Sequence, residues 1–487
     1  MISSAAGTAE PRRSKAMMLA LYGAQSGERF AFYGLASVMV LFLVAAPKDG
    51  GGGLSNSASV ALTGSMFGAA YLANLVGGWC ADKILSVYQT LLVGISLALA
   101  GYILLALPIH EITWPGLLLV IFGTGLFVPS VSTLLTNQVP DESGERDAAF
   151  ARLYVAVNVG GLAATLITGV VAALSNWDYA FLVNVVGALV ALLCLLFLRG
   201  KLNAKSVQPA APSTPANLRK FIALTASLVA VYAIVVLLDF TIPRPELAIS
   251  LIVVVLTITM PAVFVLRIAR QRGRSRLERD RIAAIVVLVL FSTGFWFLAS
   301  QRLGVLILLS STGIDRHIGS WEFPANWFEA LDPAVVIILG PLMAALWKRR
   351  GDRAPRTTTK FALGFAITAV ALAILVLVGK AVDAGTLVGW PSLFVIFVLI
   401  SVGELLLAPA GSSAVSRLAP PGTETQLFAV WYLSVGCGFA IGGLLGSTVT
   451  DLGYTWFAFA GAVLSAALAF GVWACATPMR RLMHGER

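Results

Sequence analysis

The sequence predicts an all-α polytopic membrane protein with two six-helix bundles joined by two additional transmembrane helices. Of its 487 residues, 58% are hydrophobic and only 12% are charged, and the mean hydropathy is +0.88. A soluble chain carries charge on about a quarter of its residues. Long apolar runs alternate with short charged, proline or glycine-containing segments along the whole length. The expected environment is therefore the lipid bilayer, and the net charge of +10 is spread over connections rather than a nucleic-acid-binding face.

The apolar runs predict fourteen spans in a six, two, six arrangement. Each run approaches or exceeds the roughly 20 residues that a helix needs to cross a bilayer. The predicted spans lie near 17–46, 57–81, 86–108, 115–138, 149–174, 179–198, 219–240, 246–267, 281–311, 331–348, 360–380, 390–417, 424–449 and 453–476.

Two polar stretches divide the chain. The sequence RGKLNAKSVQPAAPSTPANLRK is rich in Pro, Ala and Ser, as in a flexible linker, and the basic stretch RIARQRGRSRLERDR precedes the last six spans. We predict a first bundle over residues 1–200, a linker region with two spans over 201–280, and a second bundle over 281–487. Paired bundles of this kind are typical of secondary transporters with a central site.

The basic residues predict the orientation. Apart from Arg29 and Arg302 within spans, the Lys and Arg residues lie on the side of the N-terminus, with four exceptions: Lys48, Arg244, Arg316 and Lys380. Positively charged connections stay in the cytoplasm, so both termini are predicted to be cytoplasmic. The N-terminal stretch has no cleavage site typical of a signal peptide, and we expect insertion to depend on the first span.

The stretch QSGERFAFYG places adjacent charges, Glu28 and Arg29, inside the first span. A charge at the bilayer centre costs about 2.5–3.5 kcal/mol on insertion scales, so the face that carries them should look into the bundle or a wet cavity. Neighbours on a helix diverge by about 100°, so the two side chains need not pair with each other. The guanidinium of Arg29 suits a substrate carboxylate or phosphate. Alternatively, Arg29 bonds a protein carboxylate and Glu28 a polar neighbour, which would hold helices together.

Several motifs resemble those of the proton-dependent oligopeptide transporter family, a branch of the major facilitator superfamily. GERFAFYG is similar to its first-span motif, GGWCADKIL to its loop after the second span, and FARLYVAVNVG to its fifth-span signature. FWFLASQ, LDPAVVIILGPLMAALW and GELLLAPAGSSAVSRLAP resemble its seventh, eighth and tenth spans. The resemblance implies the major facilitator fold, a mid-membrane cavity with alternating access, proton-driven transport and di- or tripeptide cargo.

The chain departs from the family pattern at positions that usually carry charge. Gln25 stands for a Glu, Ala36 for an Arg, Val128 for a Lys and Ser300 for a Glu, whereas Asp332 replaces an Asn. Gln25, Val128 and Ser300 cannot titrate, which makes altered or absent proton coupling an alternative.

The resemblance implies a set of cavity residues. The expected substrate-binding residues are Arg29, Tyr33, Tyr71, Asn158, Trp296, Gln301, Glu404 and Trp431. The expected proton-coupling residues are Glu28, Asp332 and Glu404. The tyrosines, tryptophans and Asn158 are also residue types that fill bundle cores and interfacial belts, so packing is an alternative for each.

Three further charged residues carry open alternatives. In the family the position of Glu404 binds the peptide's amino end, whereas a helix-packing Glu bonded to serines is the other interpretation. Asp332 either carries a proton or caps its helix before Pro333. Arg302 could partner Asp332 or Glu28, or contact cargo. Arg29 and Glu404 on opposite walls would make a dipolar cavity suited to a zwitterion.

The sequence thus predicts a monomeric, proton-coupled transporter of small peptides or peptide-like solutes in the bacterial inner membrane. The alternative is a uniporter or exporter of a modified peptide, antibiotic or small organic acid. The histidines lie in loops or the tail, and neither an HExxH motif nor metal-ligand spacing is present, so enzyme activity, a metal and any cofactor other than the proton are not expected.

Overall fold

The structure is a computed structural model. It describes residues 15–109, 112–139, 145–208, 245–271, 273, 275–420 and 423–484, together with Arg219, Ala223 and Ala230.

Most of the described residues lie in α-helices. The first half comprises α1 (Lys15–Val44), α2 (Asn56–Lys83), α3 (Val87–Leu105), α4 (Thr113–Gln138), α5 (Glu145–Leu174) and α6 (Trp177–Leu198). The linker region contributes the short α7 (Ala204–Val207) and α8 (Pro245–Ala269). The second half comprises α9 (Arg276–Ala299), α10 (Val305–Thr312), α11 (Leu331–Arg350), α12 (Thr357–Asp383), α13 (Trp390–Leu418), α14 (Glu424–Gly446), α15 (Val449–Ala474) and α16 (Ala476–Leu482).

The predicted membrane spans correspond to these helices. Within the described residues, 13 helical segments are long and apolar enough to cross a membrane. Each overlaps one predicted span, with ends that differ by a few residues, so the all-α polytopic class is confirmed. The remaining predicted span, 219–240, lies outside the described residues apart from Arg219, Ala223 and Ala230.

Buried apolar side chains form two main clusters, one for each set of six spans. The first contains mostly side chains of α1–α6, including the fully buried Tyr102, Phe127 and Phe181. The second contains mostly side chains of α9–α15, including Phe295 and Phe365. Because lipid tails are as apolar as these side chains, the clusters are held by close packing rather than by exclusion of water.

Serine caps fix the starts of α3 and α9. The Ser86 hydroxyl accepts a hydrogen bond from the Gln89 backbone N–H at 3.2 Å, and the Gln89 side chain accepts from the Ser86 N–H at 3.0 Å. Ser275 and Glu278 make the same reciprocal pair at the start of α9. Each pair satisfies two N–H groups that a helix end leaves free, so the following span starts at a defined residue.

The span that begins with α9 is interrupted near its middle. After Ala299 the chain makes a 3₁₀ turn over Ser300–Arg302, and α10 begins at Val305. The three turn residues are polar, yet each is at most 6% exposed. The interruption therefore places polar side chains deep inside the bundle.

The connections around α10 and α11 contain two short strand pairs. Strand β1 (Ile314–Asp315) pairs in parallel with β4 (Val388–Gly389), and β2 (His317–Ile318) pairs antiparallel with β3 (Trp321–Glu322). Arg316 donates to the Phe323 carbonyl at 3.0 Å and also bonds Glu322 and the Ser310 carbonyl. A further 3₁₀ turn, Ala325–Ala330, leads into α11.

The two halves contact each other at the end of the bundle that carries connections 45–55 and 313–330, which we call the closed end. There α2 packs along α14, with Gly64 against Gly443, and the Ser57 hydroxyl donates to the Ser447 carbonyl at 3.0 Å. A Cβ atom on Gly64 would lie 2.5 Å from the Gly443 Cα atom, so the close approach requires glycine.

A second contact between the halves joins the 325–330 turn to α5. The Asn326 amide donates to the Thr165 carbonyl at 2.9 Å and to the Ser37 hydroxyl at 3.2 Å. The Trp327 indole N–H donates to the Leu166 carbonyl at 3.0 Å. These bonds hold the turn of the second half against two helices of the first.

Helix α8 of the linker region contacts both halves. It packs against α2 and against α14. The Ser65 hydroxyl on α2 donates to the Ser250 hydroxyl on α8 at 2.8 Å. The linker helix therefore lies across the seam between the halves.

Candidate functional site

Glu28 and Arg29 pair with each other inside the first half. The Arg29 Nε donates to Glu28 Oε2 at 2.6 Å, and Nη2 donates to Oε1 at 2.8 Å. Helix spacing did not require these neighbours to pair, but they do, and the protein carboxylate considered as the alternative partner of Arg29 is Glu28. Helix periodicity fixes where the Cβ atoms point, whereas the long side chains turn back toward each other because unpaired charges are costly in an apolar bundle.

Thr124 and two aromatic rings contact the Glu28–Arg29 pair. The Thr124 hydroxyl on α4 donates to Glu28 Oε1 at 3.0 Å. The Arg29 guanidinium carbon lies 5.0 Å from the centre of the Phe32 ring and 5.5 Å from that of Tyr33. Both charged residues are buried, so Arg29 is neutralised by a neighbour within its own half.

Arg302 is the centre of a charged cluster in the second half. Its Nη1 donates to Asp332 Oδ1 at 2.5 Å and to the Ser401 hydroxyl at 3.0 Å, and its Nη2 donates to Glu404 Oε2 at 2.9 Å. The 3₁₀ turn, α11 and α13 each contribute one charged residue. Of the partners considered for Arg302, the structure selects Asp332, and it adds Glu404.

The structure shows that Asp332 and Glu404 are both partners of Arg302. Asp332 is the second residue of α11 and pairs with Arg302, so the structure assigns it an ion pair rather than a helix cap. The Glu404 carboxylate and the hydroxyl of the nearby Ser401 each accept a hydrogen bond from the Arg302 guanidinium. Arg29 and Glu404 lie in different halves, and each has an oppositely charged partner in its own half.

The side chains of the two halves nevertheless face each other across a central space. Tyr33 lies close enough to Asp332 and Glu404 to interact with them electrostatically, and Tyr71 lies close to Glu404 and Tyr432. Tyr154 on α5 and Tyr432 on α14 are each 51% exposed. Tyr154 also lies near Glu404 and Asp332, so this group of side chains extends to the surface of the described helices.

Four other predicted site residues contact groups of the protein itself. The Gln301 amide donates to the Phe297 carbonyl at 2.9 Å and to the Gly442 carbonyl at 3.1 Å. The Trp431 indole donates to the Ser412 hydroxyl at 3.0 Å, and the Asn158 amide donates to the Tyr154 carbonyl at 2.8 Å. The Trp296 ring stacks on Phe439 with centres 6.0 Å apart.

Two contributions were missed by sequence reasoning. Asn326 and Trp327 join the halves at the closed end, and Glu329 lies within electrostatic range of Arg302 and Asp332. For Glu329 a signal was available, since it precedes Asp332 by three residues at the start of a predicted span. Within the described residues, no group of three or more His, Cys, Asp or Glu side chains is placed to hold a metal ion.

The sequence profile of the POT family matches residues 88–458, which is more than half of the chain. The chain belongs to the POT family. This result agrees with the resemblance of its span motifs to proton-dependent oligopeptide transporters.

Bacterial relatives of this POT protein cover most of its length. It is 28% identical over 489 residues to the "Peptide transporter YePEPT" of Yersinia enterocolitica, covering 96% of this chain and 95% of the relative. It is 27% identical over 430 residues to a "Di-/tripeptide transporter" of Lactococcus lactis subsp. cremoris, covering 86% of each chain. It is 29% identical over 432 residues to the "Uncharacterized transporter YclF" of Bacillus subtilis, covering 87% of this chain and 86% of the relative.

Solved structures of POT transporters share the fold. A crystal structure of a peptide transporter POT in complex with sulfate has a TM-score of 0.89 at 27% identity and covers 97% of both chains. A complex of a POT variant with alafosfalin has a TM-score of 0.87 at 28% identity and covers 98% of both chains. The POT protein described here is thus a multi-pass membrane protein of a bacterial transporter family whose relatives are transporters rather than enzymes.

Proposed function

We propose that this POT protein is a secondary active transporter that moves di- and tripeptides or peptide-like solutes by alternating access, coupled to protons. Relatives that carry peptide-transporter names cover the chain almost end to end. The central space, bordered by groups from both halves, provides one site that two opposite movements could expose in turn.

The observation that carries this proposal is the pair of carboxylates at the centre of the second half. Asp332 and Glu404 share the guanidinium of Arg302 and lie near Tyr33 of the first half. A carboxylate attracts the ammonium group of a peptide directly, and aromatic walls with polar tips accept side chains of varied shape. The proposed substrate contacts are Glu404, Tyr33 and Tyr71, with Arg29 opposite them.

The proposed orientation gives the conformational state. With both termini in the cytoplasm, the closed end faces the outside, and the exposed Tyr154 and Tyr432, in the first parts of α5 and α14, lie on the cytoplasmic side of the centre. The contacts of α2 with α14 and of the 325–330 turn with α5 would then seal the outer side. The structure corresponds, on this proposal, to an inward-facing state of a monomer in the bacterial inner membrane.

A second candidate keeps the fold and changes the cargo. Because Glu28 bonds Arg29 bidentately, and because Ala36 and Val128 stand where the family has cations, the first half offers little free positive charge for a peptide carboxylate. A modified peptide with a neutral carboxyl end therefore suits the first half better than a zwitterion does. Such a cargo would be carried by uniport or export. Antibiotics and small organic acids are the other cargoes to test.

The deciding experiment is uptake of a labelled dipeptide into proteoliposomes, with and without an inward proton gradient. We expect gradient-stimulated uptake by the unmodified protein and its loss in Glu404→Ala and Arg29→Ala, with Asp451→Asn as a control at an exposed carboxylate. The same vesicles are tested with a dipeptide amide, which lacks the carboxylate. Uptake of the amide without uptake of the dipeptide would favour the second candidate, and uptake of neither by folded protein would contradict the proposal.

A further inference from the structure

Glu329 is a half-buried residue with one buried carboxylate oxygen, and the proposed substrate contacts do not include it. It lies in the 3₁₀ turn just before α11, and its Oε2 is buried without a hydrogen-bond partner among the described residues. A buried ionised oxygen without a donor loses its hydration and gains nothing in return. Glu329 is therefore poorly placed to remain ionised.

The charges around Glu329 lead to the same conclusion. The charged groups that interact with Glu329 are Arg302, Asp332 and Glu404. Arg302 lies in the 3₁₀ turn over Ser300–Arg302, Asp332 in α11 and Glu404 in α13. Two of the three carboxylates accept N–H bonds from Arg302, at 2.5 Å for Asp332 and 2.9 Å for Glu404. One guanidinium thus faces three carboxyl groups, and the two that it bonds already exceed its charge. A third ionised carboxylate would add uncompensated charge inside the membrane.

We propose that Glu329 is the residue of the second half that binds the transported proton. This inference rests on the proposed function, and it names a carrier where Gln25, Val128 and Ser300 have removed titratable positions. Arg302 donates N–H bonds to Asp332 and Glu404, whereas Oε2 of Glu329 has no donor among the described residues, and we therefore place the proton on Glu329.

The first test measures protonation directly and needs no cargo. Infrared difference spectra of the purified protein between acidic and alkaline pH report the C=O stretch of protonated carboxyl groups. We expect a band that disappears in Glu329→Gln and persists in Asp451→Asn, an exposed carboxylate at the start of α15. Spectra in which Glu329→Gln leaves every carboxyl band unchanged would overturn the assignment, and correct folding of the variant is established from its unfolding temperature.

The second test measures coupling. A pH difference of about one unit drives up to about tenfold accumulation for each proton carried. Glu329→Gln should abolish this accumulation yet retain exchange of internal for external cargo, whereas Glu329→Asp should recover part of the accumulation. Retained gradient-driven accumulation in Glu329→Gln would contradict the inference. If the unmodified protein transports no peptide, the proposed function fails, while the infrared result still decides whether Glu329 binds a proton.

Discussion

At the level of single side chains, the Glu28–Arg29 pair depends on a donor from another helix. The Thr124 hydroxyl is the only group outside α1 that bonds Glu28 within the described part of the chain. Thr124→Val keeps the shape of the side chain and removes the donor, which leaves a buried charged acceptor short of one bond. We expect a loss of about 1–3 kcal/mol in the free energy of unfolding.

The measurement is a denaturant titration of the detergent-solubilised protein. Thr133→Val is the matched control, because Thr133 lies on the same helix, is exposed and bonds only the Pro129 carbonyl. Equal stability losses in the two variants would show that the hydroxyl of Thr124 does not support the ion pair.

The intramembrane charges could be predicted from the sequence, but their partners could not. Composition and hydropathy suffice to place Glu28, Arg29, Arg302 and Glu404 within spans. The bond between Arg302 and Glu404 joins residues that are 102 positions apart, and no spacing rule relates two separate helices. Side-chain torsions decide the Glu28–Arg29 pair, and helix periodicity contains no information about them.

At the level of helices, the contact of α2 with α14 depends on two facing glycines. Gly64→Val would force the Gly443 backbone away, since even a Cβ atom would lie 2.5 Å from its Cα atom. We expect this variant to separate the halves at the closed end and to expose Ser57. The effect should exceed that of Gly78→Val on the same helix, because nothing lies within 4 Å of a Cβ atom at Gly78.

The readout is the labelling rate of a cysteine placed at Ser57 with a membrane-impermeant maleimide, in a background without the native cysteines. A rate several-fold higher with Gly64→Val than with Gly78→Val is expected. Equal rates would mean that the closed end does not rely on this glycine contact.

The existence of the helices was predictable, whereas the interruption of the span predicted at 281–311 was not. The apolar run 281–311 predicts one continuous span, and the structure instead inserts a 3₁₀ turn at Ser300–Arg302. Gly304 follows this turn, but a single glycine inside an apolar run does not by itself indicate a break. The turn matters for the site because it directs Arg302 toward α11 and α13.

At the scale of the whole molecule, the charge distribution predicts which surface faces the cytoplasm. Lys48 lies in the α1–α2 connection of the closed end, and Lys201 follows α6 at the opposite end. Cysteines introduced at these two positions should react differently with an impermeant reagent added to intact cells. We expect labelling of Lys48→Cys and protection of Lys201→Cys until the membrane is permeabilised, and the reverse pattern would invert the topology and the proposed inward-facing state.

The position of α8 has a consequence for the energetics of the transport cycle. This helix touches α2 in one half and α14 in the other, and the Ser65–Ser250 hydrogen bond fixes it to the first. If the outer side opens, at least one of these contacts must be lost, so α8 stabilises the state in which both exist. The linker helix would therefore bias the resting population toward one side of the membrane before any cargo binds. Ser250→Ala should then raise the share of molecules open to the outside, which distance distributions between spin labels on the two halves would reveal.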